Sequence, residues 1–62
     1  MSAAAILTLI GIVNGIITFS NSAPGIVEHA KAILAVVEPH VAAAGDDVKK
    51  AFVEAQARVS SL

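Results

Sequence analysis

Residues 3–19 read AAAILTLIGIVNGIITF, seventeen positions without a charge, closed by Ser20-Asn21-Ser22. As a helix this stretch is about 25 Å long, near the lower limit for crossing a hydrocarbon core of about 30 Å. Its nine Ile, Leu, Val and Phe residues favour insertion, and Asn14, Thr8 and Thr18 oppose it. Two periodicities decide the helical reading. Ile6, Ile10, Val13 and Ile17 recur along one side, while Ala4, Thr8, Gly11, Gly15, Thr18 and Ser22 follow at steps of 4, 3, 4, 3 and 4 along another. Such a row of small residues lets a second backbone approach closely, with Gly11 and Gly15 as a GxxxG centre and the threonine hydroxyls available to bond across it. Asn14, the one amide of the stretch, needs a partner if buried: the same residue of a second chain, where it would set register, or Thr18, or water.

Two rivals compete for the same residues. Asn14-Gly15 is a strong hairpin signal, yet its flanks do not alternate in polarity as a half-buried hairpin requires. A secretory signal needs a basic start, and no Lys or Arg precedes Lys31.

Outward from this block, Ala23-Pro24-Gly25 marks a turn, with Ser22 as a candidate N-cap and Pro24 in a first helical turn. Ile26, Ala30, Ile33 and Val37 then recur at helical spacing with Val27 and Leu34, and Glu28 and Lys31 form an i,i+3 pair outside. Pro39 is expected to end or kink this helix near Glu38, with the run from His40 to Ala44 able to add another turn before Gly45. Gly45 is expected to cap a helix in the left-handed conformation, and Asp46 and Asp47 suit the start of the next. Val48, Phe52, Ala55, Val59 and Leu62 make a short seam at steps of 4, 3, 4 and 3. Asp46 with Lys50 and Glu54 with Arg58 mark its solvated side. Two heptads are too few for a free coiled coil, so this seam must pack on the second helix or on neighbouring subunits.

The expected fold is all-α and a single small domain over 1–62. It has an apolar helix at about 3–19, an amphipathic helix at about 24–38, and a short charged helix at about 46–61. Residues 1–22 form an apolar segment suited to membrane insertion, and 23–62 an amphipathic segment. The composition sharpens the question of burial: 62 residues, 56% hydrophobic and 15% charged, with no cysteine. A chain of this size leaves about 40% of its unfolded-state surface in water, so a lone core is marginal. No disulfide or zinc-finger spacing can add to it. Oligomerisation or lipid remains as the means of burial.

The same inventory narrows function. A net charge of −1, with no charge before Glu28 and six charges after Gly45, gives no field for nucleic acid or anionic lipid. No cysteine nucleophile, phosphate loop or paired carboxylates across a cleft occur, so neither an enzyme, a cofactor, a metal nor a small-molecule substrate is expected. His29 and His40, eleven residues apart, read as ordinary partly exposed histidines.

The expectation is a structural subunit that partners itself in a homomeric assembly such as a virion, a filament or a membrane oligomer. Ala4, Thr8, Gly11, Asn14, Gly15, Thr18, Val48, Phe52, Ala55 and Val59 would carry the self-association. Its location would be a membrane or a large assembly, with Lys31 inclining the C-terminus to the cytoplasm if the first helix spans. The layout resembles two groups of small phage proteins, the alanine-rich helical coat proteins of filamentous phages and the holins. It departs from both: coat proteins place an acidic segment first and a basic one last, and holin tails are basic, whereas the tail here is neutral. No residue role is carried over from either. The resemblance to holins implies membrane permeabilisation as an alternative, and a soluble helical partner-binding module is a second. A pore would have only Thr8, Asn14 and Thr18 to line it, which favours the structural reading.

Overall fold

The computed structural model describes residues 1–20 and 24–61. They form three helices, α1 (Ala3–Ser20), α2 (Pro24–Val41) and α3 (Asp46–Ser60), with no strand among the described residues. An 18-residue helix is about 27 Å long, close to the 32 Å long axis of a body measuring 17 × 16 Å across it. The helices therefore lie side by side, and each packs on the other two.

Each helix gives one row to a common core. Ile6, Ile10, Val13 and Ile17 of α1 meet Ala30, Leu34, Val37 and Val41 of α2 and Val48, Phe52, Ala55 and Val59 of α3, all buried. Leu9, Val27 and Ile33 pack against its edge. Steps of three and four residues hold each row on one side of its helix, which is why the apolar periodicity alone places eleven of the twelve. The twelfth, Val41, lies beyond the expected end of α2.

Of the two outcomes expected at Pro39, an end near Glu38 does not occur: α2 continues through it to Val41. The ring has no N–H to bond the fourth residue back and crowds that residue's carbonyl, but Pro39 lies on the exposed side of α2. Val37 and Val41 on either side of it are buried, so core packing carries the helix one further turn. The chain then turns, with the Ala44 amide donating to the Val41 carbonyl at 3.0 Å.

Gly45 is also not a left-handed cap. It stands at the N-cap of α3 with φ −72° and ψ 169°, and its carbonyl accepts from the Lys49 amide at 3.1 Å. Asp46 and Asp47 occupy the first turn of α3, on the positive end of the helix dipole. At the start of α1, Ser2 acts as an N-cap: its Oγ accepts from the Ala5 amide at 3.1 Å and its carbonyl from the Ile6 amide at 3.0 Å. The N-cap expected at Ser22 lies outside the described residues.

α1 runs unbroken through Asn14-Gly15, so the hairpin rival is discarded. Among the described residues no helix is long and apolar enough to cross a membrane. The transmembrane-helix expectation thus has no support from α1, whose Ile6-Ile10-Val13-Ile17 row is buried in the core.

Candidate self-association face

Because α1 turns its Ile6-Ile10-Val13-Ile17 row inward, the row of small residues faces away from the bundle. Ala4, Thr8, Gly11 and Thr18 are exposed and Gly15 is half-buried. A Cβ added at Gly11 or Gly15 would meet nothing within 4 Å, so neither glycine is required by a close approach inside the chain. Nothing along α1 carries a charge. Alongside this row, Leu7 and Ile12 are 40% and 47% exposed, and Phe19 at the last turn is 87% exposed.

The threonine hydroxyls do not reach outward as the GxxxG reading expects. Thr8 Oγ1 donates to the Ala4 carbonyl and Thr18 Oγ1 to the Asn14 carbonyl, each at 2.8 Å. Both protons are held within α1, which leaves the hydroxyls able to accept from a neighbour.

Asn14 is half-buried at the border of α1 and α3, and its Oδ1 accepts from Arg58 Nη1 at 3.1 Å. Its side-chain oxygen thus has a partner inside the chain, Arg58, whose i,i+4 spacing from Glu54 predicts a surface pair instead. Asn14, Glu54, Ala57 and Arg58 line one shallow groove there. A second, of about 230 Å3, runs between α1 and α2 and is lined by Leu9, His29, Ala32, Ile33 and Val36.

The expected self-association residues thus divide into two sets. Ala4, Thr8, Gly11, Gly15 and Thr18 lie together on the outer side of α1, with Asn14 at its border. Val48, Phe52, Ala55 and Val59 are buried against α1 and α2 of the same chain and are not accessible to a second copy while the bundle is closed. Sequence reading passed over Phe19 by counting it with the apolar block. Its offset from the Ile6-Ile10-Val13-Ile17 row was the available signal. Among the described residues no group of three His, Cys, Asp or Glu gathers to hold a metal. His29 and His40 are both exposed on α2.

No protein-family model, curated protein or solved structure matches the chain.

Proposed function

We propose that this protein is a non-enzymatic helical subunit that assembles with copies of itself through the outer side of α1. The observation that carries the reading is an entire helix without a charge whose outward side combines open glycines with exposed Ile12 and Phe19. Surface helices of globular proteins ordinarily turn charged residues to water, as α3 does here with Asp46, Lys49, Lys50 and Glu54. A large contiguous apolar surface signals a contact with another molecule. Small residues at its centre permit backbone approach, and the flanking isoleucine and phenylalanine supply apolar area.

Sedimentation velocity across a wide concentration range tests the reading. The expected result is a concentration-dependent mass at multiples of the 6.3 kDa chain, reduced by Gly11→Ile with Gly15→Ile. A chain that sediments at 6.3 kDa at every concentration would overturn it.

A further inference from the structure

Asn14 and Gly15 are neighbours in sequence, and an asparagine side chain ahead of a glycine is open to attack by its own backbone. The Gly15 amide nitrogen, giving its proton to solvent, adds to Asn14 Cγ. The Cγ–Nδ2 bond breaks, ammonia leaves and a succinimide ring closes. Water then opens the ring at either carbonyl, leaving aspartate or isoaspartate at position 14. Glycine favours the attack because no Cβ shields its nitrogen and its backbone turns freely.

The closed bundle opposes this reaction in three ways. Both residues lie inside α1, where a helical ψ of about −42° directs the next amide nitrogen along the helix axis and away from the preceding side chain. The Gly15 N–H is committed there to the Gly11 carbonyl four residues back, so the nitrogen that must attack is engaged. The asparagine itself is held at both ends: Oδ1 accepts from Arg58 Nη1 at 3.1 Å, and its carbonyl accepts from Thr18 Oγ1 at 2.8 Å.

Release takes more than fraying of an end. Val13, directly before Asn14, is 0% exposed, and Ile17 on the following turn is buried with it. Unwinding α1 at Asn14 therefore lifts both out of the core, which couples the site to opening of the bundle. A core of this size is marginal, so such openings recur.

The two products differ in consequence. Aspartate keeps the main chain intact and sets a carboxylate opposite Arg58, where the bond becomes charge-assisted. Isoaspartate adds an atom to the main chain. That atom breaks the ladder of helical bonds and puts Ile6, Ile10 and Val13 out of phase with Ile17.

We propose that Asn14-Gly15 is a conformation-gated deamidation site: the closed bundle holds it inert, and opening of α1 converts it, irreversibly marking chains that have unfolded. The site acts within one chain and stands whether or not copies associate.

The test incubates the full chain at low concentration in mildly alkaline buffer, with and without urea, and follows conversion at position 14 by peptide mass spectrometry. Conversion should be at least about tenfold slower without urea. Across the wild type and Phe52→Ala, which opens the core from α3, the rate without urea should follow the unfolded fraction read by circular dichroism. Gly15→Ala should slow the reaction in urea. Once urea is removed, aspartate chains should regain their helical signal and isoaspartate chains should not. Equal rates with and without urea, or rates that ignore the unfolded fraction, would overturn the gating. No conversion in urea, or undiminished conversion in Gly15→Ala, would overturn the site itself. Isoaspartate chains that regain full helicity would overturn the lasting effect on the fold.

Discussion

Arg58 Nη1 donates to Asn14 Oδ1 at 3.1 Å, joining the C-terminal part of α3 to the middle of α1 across 44 positions of sequence. Each group has a reason to accept the other. Asn14 brings an amide to the edge of an otherwise apolar interface, and the guanidinium can reach it while staying in contact with water. Solvent competes for this bond, so its net worth is small. A double-mutant cycle on Asn14→Ala and Arg58→Ala, read by urea unfolding, should give a coupling of about 0.5 kcal/mol. A coupling indistinguishable from zero would mean that water substitutes fully for either partner.

Phe52 sits at the opposite extreme. It is 6% exposed at the centre of the α3 row, and Phe→Ala in a core costs about 3–5 kcal/mol from lost transfer energy and the cavity left behind. Small domains hold only about 5 kcal/mol in total. Phe52→Ala should therefore abolish cooperative thermal unfolding by circular dichroism at room temperature. A sharp transition shifted by only a few degrees would show that neighbouring helices collapse into the space.

The Phe52 core and the Asn14–Arg58 bond also mark what can be read from sequence and what cannot. The core was legible because Ile6, Ile10, Val13 and Ile17, and likewise Val48, Phe52, Ala55 and Val59, repeat at a period that belongs to one helix and needs no knowledge of its neighbours. The Asn14–Arg58 bond was not, because it depends on how α1 and α3 are rotated against each other. Arg58 also stands four residues after Glu54, where a local pair is the nearer explanation. At Pro39 the local penalty was visible, but the packing of Val41 that carries α2 past it is tertiary. For the candidate face, the row of small residues was legible. The direction it faces followed only once the opposite row was seen to fill the core.

Pro39 yields its own prediction. The helix passes through it without an N–H to offer the Ala35 carbonyl, and its side chain is exposed. Pro39→Ala would restore that bond and remove the ring's clash with the preceding turn, together worth up to about 3 kcal/mol in a helix interior. Against this, the unfolded chain gains freedom worth about 0.4–1 kcal/mol. The balance should be a stabilisation of about 1–2 kcal/mol, visible as a raised urea midpoint. A lowered midpoint would show that Pro39 is preferred because it limits the unfolded ensemble or shapes the turn that follows.

Gly11 and Gly15 separate folding from assembly most cleanly. Inside a helix each glycine costs about 1 kcal/mol relative to alanine, and an added Cβ at either would meet nothing within 4 Å. Gly11→Ala with Gly15→Ala should therefore raise the stability of the single chain by about 1–2 kcal/mol. The same methyl groups would stand where a second backbone approaches, so association should weaken in the same variant, and more severely in Gly11→Ile with Gly15→Ile. Unfolding followed at low concentration, where the chain is single, and sedimentation at high concentration measure the two effects independently. A chain that is stabilised and also associates as before would show that the outer side of α1 is not the contact. The glycines would then have to be explained by something other than close approach.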